Sequence, residues 1–502
     1  MSINRRHFFF GTLLSGAVPS AGFGSIASLR SLGYKPFYDK LNVAAIGCGG
    51  QGGAILNQAA ATENIVALCD VDEKRASSNF ERFSKAPKYK DFRVMLDKEG
   101  KNIDACTIGI PDHMHATVAL NAMQRGIHVY VEKPLTRTPW EARLLRDAAV
   151  KYKVATQMGN QGYSHDATRT TAEMIWSGAI GDVTEVHASS TPGTHPTGLT
   201  QPPPEAGVPS NVDWELWLGS ANMRAFSPDY VPYNWRGFFD FGTGQLGNWG
   251  IHVLGPVHLA LQLGAPTGVE LLKQENESKW TFPTSAVLKF DFPARGGLSP
   301  VSLYWHDSAT PDSPDTYKIP GLENEMVLPR PNNLGDKGRG TTGRTAGPGG
   351  PPPNRQRGVR MGAGGEGVKV YGAERQQNKA GLLTGNGAVF VGSKGMLSTI
   401  ERGEGVQLLP ADKWKDYKLP AQLLQRSPGH MSDWIRAAKG GEQSCSDFSI
   451  AVPFTEWVLL GVIAFRVPGK LLWDSKNFRF TNSAAANNLL KPTFRKGWEL
   501  KL

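Results

Sequence analysis

The stretch Leu41-Asn42-Val43-Ala44-Ala45-Ile46-Gly47-Cys48-Gly49-Gly50-Gln51-Gly52 decides the reading of the N-terminal half. Its first six residues form a short apolar run closed by glycines, the pattern of a strand buried on both faces of a parallel sheet. Gly53 to Ala61 then has helical composition. The same alternation continues downstream. Asn64 to Cys69 reads as a second strand, Asp72 to Lys85 as a helix, and Ile103 to Ile108 as a strand. Ala116 to Arg125 reads as a helix, His128 to Val131 as a strand, and Pro139 to Tyr152 as a helix. Strands alternating with helices predict an α/β domain with a doubly wound parallel sheet, spanning residues 40–158.

Within that domain the glycines have a specific meaning. They follow a strand and open a helix, and the next strand ends at the acidic Asp70. That is the fingerprint of a dinucleotide site. Gly47 permits the tight turn, Gly49 lets backbone approach a pyrophosphate, and Gly52 allows close packing of helix on strand. Gly50 and Gln51 complete the loop, whose helix end offers free N–H groups and a positive dipole end. Asp70 is placed to bind the adenosine ribose hydroxyls, and its charge, with that of Asp72, disfavours a 2′-phosphate. The expected cofactor is therefore NAD.

A chain of 502 residues exceeds one core, so a second domain is expected over 159–502. Asp166 to Gly178 reads as a helix and Val183 to Ser189 as a strand, while Ser285 to Phe292 and Pro300 to Trp305 alternate like sheet strands. These predict an α+β domain on a large, mostly antiparallel open sheet. Met431 to Lys439 and Pro453 to Phe465 read as late helices. Residues 330–367 concentrate Gly, Pro, Arg and Asn, and read as a flexible insertion that cannot bury enough apolar area to order itself. The formal charge is +10, but the positive residues are scattered and lack the clustered, aromatic-interleaved pattern of a nucleic-acid surface. The four cysteines, Cys48, Cys69, Cys106 and Cys445, form no CxxC pair, so no metal site is expected. At the N-terminus Arg5-Arg6 precedes a short apolar stretch, which reads as a Tat-type export signal over residues 1–30 and predicts a periplasmic or otherwise exported protein. The apolar run is too short for a stable membrane span.

Five further motifs point to a family. Ile110-Pro111-Asp112-His113-Met114-His115 follows the third strand, and Val131-Glu132-Lys133-Pro134-Leu135 follows the next. Asp213-Trp214-Glu215-Leu216-Trp217-Leu218-Gly219, Asn234-Trp235-Arg236 and Asn248-Trp249-Gly250-Ile251-His252 lie further on. Together with the glycine loop these resemble the glucose–fructose oxidoreductase, inositol dehydrogenase and rhizopine-catabolism (Gfo/Idh/MocA) family. The resemblance implies hydride transfer at a carbon of a sugar or polyol, and homo-oligomers formed through the C-terminal sheet. It assigns Lys133, Asn248 and His252 to catalysis. It assigns Pro111, His115, Glu132, Lys133, Asn160, Gln161 and Arg236 to the cofactor. On chemical grounds Lys133 can polarise a substrate oxygen, and His252 has an ordinary pKa near neutrality for acid/base work.

The chain departs from the family's pattern at Asn248 and at Gly255-Pro256, which replaces an acidic residue often found soon after the histidine. Where dehydrogenases of the family carry Asp-x-x-x-His, this chain has Asn248, an amide that holds no charge. That leaves two alternatives to a simple dehydrogenase. One is an NAD-dependent glycosidase or 3-keto-glycoside lyase, resembling family 109 glycoside hydrolases, with Tyr163, His165 or His195 as the base for a C2 proton. The other is a catalytically inactive sugar-binding relative. Trp214, Trp217, Trp235 and Trp249 are candidates to stack on a sugar ring or to fill the core.

Overall fold

The structure is a computed structural model that describes residues 39–313, 316–328 and 379–502. The segment 1–30 and the stretch 330–367 lie outside the described residues.

The first sheet contains β1 (Asn42–Ile46), β2 (Asn64–Cys69), β3 (Lys88–Tyr89), β4 (Ala105–Ile108), β5 (His128–Glu132) and β6 (Thr156–Gly159). Its order is β3-β2-β1-β4-β5-β6, and every pair is parallel. Alanine, valine and leucine fill β1 and β2 because both faces are covered. Helix Pro139–Tyr152 starts with a capping box in which the Thr138 backbone N–H and hydroxyl both donate to Glu141. The register is what builds a site. Ile46 pairs with Cys69 and with Ile108, and Ile108 pairs with Val131. The residues that follow, Gly47, Asp70, Gly109 and Glu132, therefore emerge side by side at the carboxyl edge, where parallel α/β sheets bind ligands.

The second sheet has nine strands. They are β7 (Val183–Ser189), β8 (Gly268–Glu275), β9 (Ser285–Phe292), β10 (Val301–Asp307), β11 (Gly387–Gly392), β12 (Gly395–Ile400), β13 (Gly405–Leu409), β14 (Lys470–Asp474) and β15 (Arg479–Phe480). The order is β13-β12-β11-β7-β10-β9-β8-β14-β15. Only the β7–β10 pair is parallel, so the sheet is mostly antiparallel as expected. Inward residues of β9, such as Leu288 and Phe290, meet Trp457 and its neighbours on the helix Phe448–Ala464. That helix is apolar on all sides because the π-helical turn Leu246–Gly250, the helix Pro139–Tyr152 and the sheet enclose it. The helix His430–Ala438 returns to the first sheet, where Met431, Trp434 and Ile435 cover Leu41, Val43 and Tyr130. Cys48, Cys69 and Cys106 are buried free thiols, small core residues as the sequence implied. Among the described residues no helix is long and apolar enough to cross a membrane.

Candidate functional site

The glycine loop leaves β1 with Gly47 at φ 87°, a conformation that disfavours any side chain. Its N–H donates to the Cys69 carbonyl at 2.8 Å, and a Cβ there would overlap the Gly109 carbonyl oxygen. The helix Gly50–Ala59 begins at once, with no acidic residue in its first turn to cancel the dipole. Gly47, Gly49, Gln51 and Gly52 line a solvent-open cleft of about 1150 Å³. Asp70 lines it too. Its carboxylate accepts from the Cys48 N–H at 2.7 Å and the Asp72 N–H at 2.9 Å, and burial pushes its pKa upward. Two backbone donors thus fix its direction, while further lone pairs remain for ribose hydroxyls. Asp72 is spent as the cap of the next helix, accepting from the Arg75 N–H at 3.0 Å and from Asn211 at 2.7 Å. The Arg75 side chain lies over Gly49 and Gly50, so those positions also need glycine to admit it. It adds a cation above the loop that was not identified from the sequence.

At the end of β5 the predicted cofactor residues hold one another. Gln51 and Gln161 each donate to one Glu132 oxygen at 3.0 Å, and the Lys133 N–H donates to the other at 3.2 Å. His115 lies behind the cleft wall, its ring bridging the Pro134 carbonyl at 2.7 Å and the Ile110 carbonyl at 2.9 Å. It ties the loop after β5 to the loop after β4 and does not line the cleft, whereas Pro111 does. Asn160 accepts from the Ser446 hydroxyl at 2.7 Å, and its buried Nδ2 has no partner among the described residues. Asp112, which the sequence reading left without a role, lines the cleft and accepts from Thr243 at 2.7 Å, and burial raises its carboxyl pKa.

The reacting side is built around Lys133. Its Nζ donates to the Asn248 side-chain oxygen at 2.6 Å and to the Asn248 carbonyl at 3.0 Å. Burial lowers its pKa to about 8. Asn248 donates in turn to Gln245 at 3.1 Å, and Gln245 to the Thr191 carbonyl at 2.6 Å. Asn248 sits in the π-helical turn, which runs directly into the helix Ile251–Ala260 that carries His252. His252 is buried, and its ring stands edge-on to Trp249 with centroids 5.8 Å apart. Burial, then the charges of Lys133 and Arg402, push its pKa well below the ordinary value. Near neutrality is the ordinary value for a histidine; in the fold burial disfavours the charged imidazolium of His252. Arg236 lines the cleft with its guanidinium 4.1 Å from the Tyr233 ring centre and 4.2 Å from that of Trp235.

The three candidate bases differ. Tyr163 is buried beside Phe454, and burial raises its pKa. His165 precedes the helix Asp166–Trp176 and lies within electrostatic reach of His252. His195 is buried, neither ring nitrogen has a hydrogen-bond partner among the described residues, and burial with nearby Arg236 lowers its pKa to about 4. Of the aromatics, Trp214 and Trp217 stack at 4.7 Å inside a cluster with Tyr230 and Phe241. Trp217 and Trp235 also line the cleft, and Trp249 is half-buried beside His252.

These groups fit a dinucleotide: a side-chain-free loop, an uncancelled helix end, a fixed carboxylate after β2, and an orphaned amide after β6. Comparison with known proteins agrees. Residues 41–160 match the family described as "Oxidoreductase family, NAD-binding Rossmann fold", and residues 171–279 match its "C-terminal alpha/beta domain". The D-glucoside 3-dehydrogenase of Escherichia coli (strain K12) is 28% identical over 221 residues, 42% of this chain and 62% of that protein. A glycosyl hydrolase family 109 protein of Solibacter usitatus is 26% identical over 185 residues, 34% of this chain and 41% of that protein. Each match thus spans less than two thirds of the relative's own length. The WlbA dehydrogenase of Bordetella pertussis, solved with NADH and UDP-GlcNAcA, shares the fold with TM-score 0.52 at 13% identity, covering 87% of this chain and 99% of that one. Residues 41–160 and 171–279 thus match, in order, the two domains of the Gfo/Idh/MocA family of NAD-binding oxidoreductases, and the glycine loop and Lys133 lie on one cleft.

Proposed function

We propose that this protein is an exported NAD-dependent oxidoreductase that oxidises a hydroxyl-bearing carbon of a sugar or polyol. The observation that carries the reading is Lys133: its Nζ is held at 2.6 Å by an uncharged amide, on the same cleft as the glycine loop, with its pKa drawn down to about 8. NAD, when bound, supplies the two-electron acceptor. Gly47, Gly49, Gly52, Asp70 and Glu132 would hold it, with Gln51 and Gln161 steadying Glu132. Lys133 then takes the hydroxyl proton as the carbon is oxidised, and returns it in the reverse direction. His252, whose pKa is lowered by burial and then by the charges of Lys133 and Arg402, accepts a hydrogen bond from the substrate and orients it. The names of relatives, a glucoside 3-dehydrogenase among them, support a sugar as substrate. Deuterium transfer from labelled sugars to NAD tests the reading.

Asn248 sets the working pH. An amide oxygen orients the lysine and stabilises its ammonium less than a carboxylate at the same 2.6 Å would. Asn248→Asp is expected to move the rising limb of kcat/KM for oxidation upward by about one to three pH units, and so to lower the rate at pH 7. A limb that does not move would show that Lys133 is not the titrating group.

A second reading is favoured by His195. A buried neutral imidazole whose nitrogens have no hydrogen-bond partner among the described residues can take the proton from the carbon beside the oxidised one, which a glycosidase or lyase with recycled NAD requires. Turnover of an aryl glycoside with solvent exchange of the C2 proton and no net NADH would establish it; sugar-dependent NADH release without that exchange would dismiss it. Export rests on Arg5-Arg6, and cell fractionation of the double lysine variant tests it, since retained export would sink the Tat route. Association of two or more copies through the open sheet rests on the half-buried outer row Lys289, Asp291 and Tyr304, and a monomer in sedimentation would refute it.

A further inference from the structure

The turn between β12 and β13 reaches the reacting groups from the far edge of the second sheet. It is tightly specified. Glu401 at φ 52° and Gly403 at φ 73° both take the left-handed conformation, which costs a non-glycine residue such as Glu401 about 1 kcal/mol or more. Its backbone is wedged against the site. A Cβ on Gly162 would overlap the Arg402 carbonyl, and one on Gly403 would overlap Thr168 and press on Pro256, which shares a helix with His252.

A continuous run of hydrogen bonds joins this turn to Lys133. Asn386 donates to Glu401 at 3.2 Å and accepts from the Thr191 N–H at 3.0 Å. The Thr191 carbonyl accepts from Gln245, Gln245 accepts from Asn248, and Asn248 accepts from Lys133. The consequence is that Glu401, the carboxylate next to Arg402, is turned toward Asn386. The exposed Arg402 guanidinium instead lies 5.5 Å from the ring centre of Trp249, itself 5.8 Å from that of His252. Arg402 enters none of the ion pairs among the described residues, yet its charge acts on both Lys133 and His252. Carboxylates on the cleft side do not answer it. Asp112 is bound by Thr243, and Glu132 by Gln51, Gln161 and the Lys133 N–H.

We propose that the substrate is an anionic sugar, a hexuronate or its glycoside, whose carboxylate is bound by Arg402 above the Trp249 ring. The assignment deepens the oxidoreductase reading and rests on it for the sugar. A planar guanidinium matches a carboxylate with two donors, and Trp249 offers an apolar face to the ring that carries it.

The test is calorimetric titration of the full-length, NAD-loaded protein with methyl glucuronide, methyl glucoside and glucose 6-phosphate, alongside turnover of each. The expected result is at least about tenfold tighter binding of the glucuronide than of the glucoside, weakened by salt. That ratio should collapse toward one in Arg402→Gln and recover in part in Arg402→Lys. A phosphate preferred over the glucuronide would overturn the carboxylate. Equal or tighter binding of the glucoside, or binding of none, would overturn the proposal. Selective glucuronide binding with no reduction of NAD would sink the hydride reading and leave the Arg402 assignment standing.

Discussion

Lys133→Met is expected to lower kcat/KM for sugar oxidation by about 10²- to 10⁴-fold, with NAD affinity nearly unchanged. Methionine preserves the length and apolar body of the side chain, so the packing around β5 is kept. What is lost is the one group near the reacting carbon whose pKa, about 8, lets it exchange a proton in the working range. Arginine should not rescue: it keeps the charge but does not deprotonate. Glu132, which lines the cleft, keeps its bonds to Gln51 and Gln161 in either variant. Steady-state kinetics and an NAD titration on the same preparation check this. A variant that loses NAD affinity but keeps kcat would move Lys133 from the chemistry to the cofactor.

Gly47→Ala is expected to weaken NAD binding by at least about 100-fold and to lower thermal stability. The left-handed backbone alone costs alanine about 1–2 kcal/mol. The overlap of its Cβ with the Gly109 carbonyl forces the loop away from β4, and with it the N–H groups meant for the pyrophosphate. A control separates the two effects. Gly126 has φ 75° and nothing within 4 Å of an added Cβ, so Gly126→Ala carries the conformational cost without the clash. It should lose stability and keep NAD. Equal NAD affinity in both variants would show that the loop tolerates displacement.

The N-terminal sheet was legible in the sequence because its signals are local. A strand buried on both faces is a continuous apolar run, and the bounds of β2 and of the helix Pro139–Tyr152 fall where composition ends them. The second sheet was legible only in part. β9 and β10 alternate, but β11, β12 and β13 lie beyond the stretch 330–367, and β15 is two residues long. The π-helical turn Leu246–Gly250 lies in a glycine-rich run whose hydrophobic period identifies neither helix nor strand. The site divides the same way. Gly47, Asp70 and Lys133 follow strand ends and can be counted from them. Arg75, Asp112, Gln245 and Arg402 come together only through the crossing of helices and the return of the distant sheet, and no spacing in the chain announces them. Asn248 was visible as a departure. Its role became clear only once its side chain was seen to accept from Lys133.

The most direct test of the account is hydride tracing. The full-length protein, loaded with NAD, is incubated with sugars and sugar acids deuterated at the ring carbons, and its NAD(H) is analysed by mass spectrometry. The account predicts one deuterium carried as deuteride from a single sugar carbon to the nicotinamide, at a rate lowered by about 10²-fold or more in Lys133→Met. NAD that stays unlabelled with every sugar, or a protein with no affinity for NAD, would contradict it.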